Sequence, residues 1–468
     1  MTAIVVVLSI AGLVWGTLLA IRGNLIFGCA VYLVATCCFS GFFYSFDAVG
    51  LTWTLDRFFL FALVAAYLIQ TRLGRTQPKA IGRGEFLLAA FFALLVFSTF
   101  THDWRSKGPD DVPVFMHLVN GYLIPLAIFW IARQAALSEQ RIHFMYAAIA
   151  CFGIYLAGTA ILEHFKLWSL VFPKYIADPT VGIHFGRARG PMVQSARFGT
   201  YLVICLATTW IAWGWLGKLG TKGRFIALAV LPLYAAAIYF TYTRSVWIGG
   251  VISAVIILGL TLRGKVRLFV LGATCAAALV VGVVKGDKLI AFKREYTAQE
   301  TRASTYMRAS FAYVSWKMFQ DRPLMGFGFG QFSRENQSYL SDRTTNIRLE
   351  SIRGYVHHNT FLSILVELGI FGLALFLALM TYWGYSAWKL WNDASAPTWM
   401  RAHGLILMTA MAPYGCQLVF REVTYAPVEN AMIFMLAGIT VGLRVTLARS
   451  NSLPLRQSFA MQRRPATC

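Results

Sequence analysis

The residues best suited to chemistry fall in four short stretches. His184-Phe-Gly-Arg187-Ala-Arg189-Gly190-Pro191 sets glycine beside two arginines. Glycine lets a backbone approach a ligand closely, and the planar fork of arginine suits phosphate oxygens. The same pattern also fits a solvated basic loop. Thr241-Tyr-Thr-Arg244-Ser245 is a tight turn between two apolar runs. An arginine there either meets a ligand or snorkels to lipid headgroups. The third stretch runs from Arg308 to Phe332. Residues 304–320 have helical spacing, and Pro323 with the following glycines ends that helix. Gly326, Gly328 and Gly330 read as a structural turn, because no Lys-Ser/Thr follows to make a phosphate loop. Arg308, at the helix start, is the candidate ligand contact. The fourth stretch, from His357-His358-Asn359-Thr360 to Glu367, Gly369 and Gly372, brings a histidine pair to the mouth of an apolar run. Histidine takes up a proton near neutral pH. At about 100° per residue, Glu367 faces away from His358, so it suits a tie to a neighbouring helix better than a proton relay. Gly369 and Gly372 suit close helix packing.

The elements that must position these residues are apolar. The chain has 468 residues, 58% of them hydrophobic and 13% charged, with a mean hydropathy of +0.60. Too few polar residues exist to cover a water-soluble nucleic-acid binder, and a disordered chain or disulfide scaffold is excluded too. A β-barrel would show alternating strands of about ten residues, not solid apolar blocks. A membrane helix needs about 20 apolar residues. Twelve or thirteen such segments are expected, at roughly 2–21, 24–45, 55–70, 85–101, 113–132, 142–163, 199–217, 224–242, 245–262, 268–285, 359–383, 403–420 and 428–447. The fold class is therefore all-α, a polytopic bundle. Its divisions are N-terminal helices over 1–163, an Arg-rich loop over 164–198, central helices over 199–285, a long loop over 286–357, C-terminal helices over 358–447 and a basic tail over 448–468. Segment 2–21 lacks a basic start before its apolar run and reads as a retained helix.

The charges are lopsided, at 42 Lys+Arg against 20 Asp+Glu, a formal +22. Loops 71–84, 218–224 and 263–267 and the tail are basic and fall on one side if the spans alternate. That side, with the C-terminus, is expected to be cytoplasmic. Thirteen spans put the N-terminus outside, and twelve put it inside. About 20 of the 42 basic residues lie on the cytoplasmic side, leaving 22 outside. The loop over 286–357 holds 11 Lys/Arg and 7 Asp/Glu. An external basic face suits an anionic ligand, although long loops also escape the positive-inside rule. The eight cysteines form no C-x-x-C and none lies in an external loop, so small buried thiols are expected. No H-x-x-x-H, H-E-x-x-H or D-x-D occurs. A metal-free chemistry is expected, with arginine supplying the positive charge, and no cofactor is expected.

The pattern His358-Asn359, nine residues, Gly369-x-x-Gly372 resembles that of the O-antigen ligase family. The order of the other motifs fits the ligase/polymerase superfamily of bacterial surface-polysaccharide synthesis, over about 185–375. The resemblance implies an inverting glycosyltransferase of the GT-C type. Such a protein sits in the bacterial inner membrane, among membrane lipids, with its active site facing the periplasm. It implies a glycan donor on undecaprenyl diphosphate and an acceptor hydroxyl, on lipid A-core for a ligase; no nucleic acid is implied. Arg244 and Arg308, then Arg187 and Arg189, would hold the leaving diphosphate, and His358 would be the base. Asn359, Glu422 and His357 are possible orienting or acceptor contacts. A Wzy-type polymerase or a protein O-oligosaccharyltransferase remains open, and a lipid-linked glycan transporter is a more distant alternative. Because an ammonium lacks the bidentate fork, Arg244→Lys is expected to impair transfer in a reconstituted assay, and wild-type rates would contradict that role.

Overall fold

The computed structural model describes residues 16–48, 51–108, 111–215, 220–273, 276 and 298–452. Their helices run α1 (Leu25–Cys38), α2 (Leu55–Arg72), α3 (Arg83–Phe100), α4 (Val114–Gln134, with a π turn at Val119–Leu123), α5 (Glu139–His164), α6 (Ser195–Thr209), α7 (Gly220–Phe240), α8 (Arg244–Thr261), α9 (Ala298–Asp321), α10 (Thr360–Asn392), α11 (Thr398–Phe420) and α12 (Pro427–Ser452). Among the described residues, eight of these are long and apolar enough to cross a membrane: α3, α4, α5, α7, α8, α10, α11 and α12. The protein is an all-α, multi-pass membrane bundle. The expected segments 2–21 and 268–285 lie largely outside the described residues. The segment expected over 24–45 is shorter, because α1 stops at Cys38. A two-stranded antiparallel hairpin then follows, with Ser45 opposite Thr54 and Ala48 opposite Leu51. Hydropathy did not reveal that hairpin.

α12 is the inner helix. It packs along α4 so closely that a Cβ on Gly438 would lie 2.4 Å from the Phe129 carbonyl oxygen. In lipid, helices gain little from hydrophobicity against each other, so small residues that admit such contact hold the pair. At one end, Arg133 is fully buried at the foot of α4 and meets Glu85 and the carbonyls of Lys79 and Ala80. Arg449 reaches the Pro78 carbonyl at 3.3 Å. The basic 71–84 loop and the end of α12 therefore share one end of the bundle. The four motif stretches gather at the other.

The long loop builds a core of its own. Phe311, Val314 and Met318 of α9 pack with Phe327, Phe332, Leu340, Leu349 and Ile352, and with Val366 of α10. This core docks on a break in α10, where Gly369 sits at φ +65°. The break frees backbone groups that must find partners at membrane depth. The glycine loop supplies them. Phe327 N–H donates to the Val366 carbonyl, Gly328 N–H to the Glu367 carbonyl, and Ile370 N–H to the Pro323 carbonyl, at 2.8–2.9 Å. Gly369 was expected to admit a neighbouring helix. Instead it admits a loop: a Cβ there would lie 2.2 Å from the Leu324 carbonyl oxygen. Glu367 faces the same loop, accepting the Phe332 N–H at 3.3 Å and the Tyr425 hydroxyl at 3.1 Å. It is a tie, as its face on the helix suggests.

At φ +65°, ψ −166°, a conformation essentially confined to glycine, an L side chain costs about 1–3 kcal/mol before any overlap with Leu324. Gly369→Ala is therefore expected to lower Tm in detergent by several degrees. Gly158→Ala, in α5 with nothing within 4 Å of the new Cβ, should leave Tm unchanged or raise it. Equal Tm values would contradict the break as a tight constraint.

Candidate active site

Three of the four stretches meet at the C-terminal end of α11. This end comprises Gln417 through Glu422, where the chain leaves the helix and turns extended at Arg421 (φ −157°, ψ 168°). Three of the stretches send a group to it, and Gln194, three residues beyond the other, reaches it too. Asn359 caps α10 by accepting the Leu362 N–H at 3.0 Å, and its Nδ2 donates to the Val419 carbonyl at 3.0 Å. Thr360 donates to the Arg421 carbonyl and accepts the Val423 N–H, both at 3.0 Å. Arg308 of α9 lies over the Phe420 ring, 5.3 Å from its centroid. From the Thr-Arg-Ser turn, Ser245 exchanges hydrogen bonds with Gln417, and Gln194, inside the Arg-rich loop and capping α6, accepts from Arg421 at 2.9 Å. Arg244 is the first residue of α8, directly before Ser245.

The two histidines hold opposite protons. His358 Nδ1 lies 3.0 Å from the Val356 carbonyl, which can only accept. Nδ1 therefore carries the hydrogen in the neutral ring, and Nε2 keeps a lone pair. The ring stacks on Phe311. Burial holds the His358 pKa below its usual value against the pull of its backbone hydrogen bonds, and the Arg308 charge lowers it further. A neutral imidazole with a lone pair on Nε2 is the form a general base needs. His357 is different. It accepts the Asn359 N–H at Nδ1, so its Nε2–H donates to Ser315 at 2.7 Å. Burial pushes its pKa down to about 3. Both nitrogens are engaged and the ring is 2% exposed, which suits the orienting role among those expected of His357. It locks the turn that presents its neighbour.

The Arg-rich loop divides its work. Arg189 was expected to hold a phosphate. Its guanidinium is instead turned into its own loop, donating to the carbonyls of Ile176, Val181 and Asp178. Glu163, at the end of α5, accepts the backbone N–H groups of Arg189 and Gly190. In this structure Arg189 braces its own loop. Arg187 is buried two residues earlier. Between them the Ala188 N–H donates to the Phe240 carbonyl at the end of α7. His184 meets Ser195 at 2.9 Å, and Thr243 donates to Ser195 at 3.2 Å. The loop and the Thr-Arg-Ser turn are thus joined through one serine. Glu422 accepts from Thr424 and Thr360. Burial raises its pKa, and it holds the same turn.

Residue-type reasoning missed Arg421 and Glu429. Arg421 pairs with Glu429, which also meets Arg197 at 3.1 Å. The sequence signal was available: Arg421 beside Glu422 between two apolar runs, and Glu429 at the start of the second, where burial makes a charge costly.

If His358 is the base, its depressed pKa sets the acid limb of the rate profile. Activity requires the neutral ring, so kcat/KM should be level from about pH 7 upward and fall in acid, with its inflection below the usual histidine value of 6.5. A pH profile in a reconstituted assay checks this. An acid inflection above 7 would contradict it.

No curated protein matches the chain. Residues 227–377 match the family described as O-antigen ligase, a stretch that begins in α7 and ends in α10. It contains Arg244, Arg308, His358 and the broken helix. On that match, residues 227–377 are similar to the O-antigen ligase family.

Proposed function

We propose that the protein is an inverting glycosyltransferase of the outer membrane face of the bundle. It transfers a glycan from undecaprenyl diphosphate to an acceptor hydroxyl, as an O-antigen ligase acting on lipid A-core. The convergence of three separate stretches on the end of α11, with the His358 Nε2 lone pair beside them, carries this reading. The basic collar at the opposite end supports a cytoplasmic C-terminus and a periplasmic site.

His358 Nε2 takes the proton of the acceptor hydroxyl. The oxygen attacks the anomeric carbon from the face opposite the diphosphate. The C–O bond to the diphosphate breaks, its electron pair leaves with the lipid phosphate, and the anomeric centre inverts. Negative charge grows on that leaving oxygen. Arg244 and Arg308, with Arg187, stabilise it as it develops. Arginine suits the task because it is always charged and its fork matches two phosphate oxygens. The proton on His358 then passes to water. The apolar spans beside the site take the prenyl chain.

In-vitro transfer from a lipid-linked donor to lipid A-core tests the proposal. The wild-type protein should transfer in excess EDTA, and His358→Ala should lose at least about 10²-fold, the usual worth of a general base. Near wild-type transfer by His358→Ala would overturn the base assignment. Loss in EDTA restored by Mg²⁺ would overturn the arginine-based mechanism. In a deletion strain, bare lipid A-core with accumulating lipid-linked polymer is expected. Single-repeat caps would point to a polymerase instead.

A further inference from the structure

Arg421 does more than line the site. Its guanidinium is gripped from two sides. Gln194 accepts from Nη1 at 2.9 Å, and Glu429 accepts from Nη2. Glu429 is fully buried in the first turn of α12, and its other oxygen faces Arg197 of α6 at 3.1 Å. Glu422 is the next residue along the chain, and its charge is also felt at Arg421. One side chain therefore ties the end of α11 to both α6 and α12. Arg421's own neighbours in sequence carry the candidate catalytic groups. The Val419 carbonyl holds Asn359, the Phe420 ring carries Arg308, and the Arg421 carbonyl holds Thr360. His358 lies directly before Asn359, so the same backbone sets both the base and an arginine.

We propose that Arg421, clamped by Glu429 and Gln194, is a positioning residue for transfer: it fixes the backbone at 419–423, which aligns Arg308 with the His358-Asn359-Thr360 turn. The proposal rests on the transfer reaction proposed above. Arginine is required because the two acceptors lie on separate arms of its fork, and a single ammonium does not span them in the same geometry. A purely structural clamp would alter the amount of folded protein but not the chemistry of each folded molecule.

The test compares detergent-purified, monodisperse full-length variants per folded molecule. Arg421→Lys keeps the charge and removes the fork. Its kcat should fall on the order of 10²-fold, the cost of about 1 Å of misalignment, with the donor KM little changed. Gln194→Ala removes one side of the clamp and should fall roughly tenfold. It also serves if Arg421→Lys fails to fold. A second readout needs no turnover. Diethylpyrocarbonate reacts with neutral imidazole, so the pH of half-maximal His358 modification, read by mass spectrometry, reports its pKa. The groups facing His358 are Arg308 and Phe311 from α9, and Tyr355 and His357 from its own turn. When Phe420 loosens, Arg308 moves away and its lowering effect is lost, so the half-point should move to higher pH in both variants. Arg334→Ala, at an exposed ion pair with Asp103, should change neither readout. If the wild type transfers and His358→Ala does not, while Arg421→Lys and Gln194→Ala keep wild-type kcat and half-points, this proposal alone is overturned. If the wild type transfers to no acceptor, the proposed function is overturned, and this proposal with it.

Discussion

A helix leaves its last carbonyls without partners inside the helix. At the end of α11, side chains from the start of another helix take two such carbonyls. Asn359 takes Val419 and Thr360 takes Arg421. This satisfaction of a helix end is the constraint on which the site depends. The donors belong to the turn that follows His358, so pairing the carbonyls also places the histidine. Arg421, pinned by Glu429 and Gln194, keeps the acceptors still. The polar groups that stabilise the junction and those that would act on a substrate are neighbours in one network.

A second junction follows the same rule. The break of α10 at Gly369 exposes carbonyls that a continuous helix would have used, and the loop after α9 pairs with them. That loop can approach because glycine stands on both sides of the contact: a Cβ on Gly326 would lie 2.5 Å from the Val366 carbonyl oxygen, and one on Gly369 2.2 Å from that of Leu324. The docked loop carries α9 with it, and α9 carries Arg308. A glycine pattern in the membrane thereby fixes an arginine outside it. The small core around Phe311 adds rigidity, and Phe311 itself forms the wall against which both histidines lie.

The charges separate accordingly. At one end Arg133 and Arg449 bind backbone carbonyls of the 71–84 loop, anchoring the bundle's basic collar. At the other, arginines divide between bracing and display. Arg189 is spent on its own loop and Arg421 on two helices, whereas Arg308 is exposed over an aromatic ring. Residue type does not distinguish these roles, because one guanidinium serves carbonyls, carboxylates and phosphates alike.

The sequence by itself determined that the chain is a multi-pass helical membrane protein, because apolar blocks of about 20 residues have no other stable arrangement in lipid. It also determined the order of the four motifs, the turn at Pro323 and the position of Glu367 on the face away from His358, all of which depend on local spacing. Only the tertiary structure decided which groups meet. It placed His358 with a lone pair on Nε2 and His357 with none to spare, a difference made by Val356 and Ser315 and not by the histidines. It turned Arg189 inward, turned Gly369 from a packing residue into a break, and brought forward Arg421 and Glu429. Each of these depends on a partner distant in the chain or on a carbonyl's orientation, and such pairings leave no periodic trace in a single sequence.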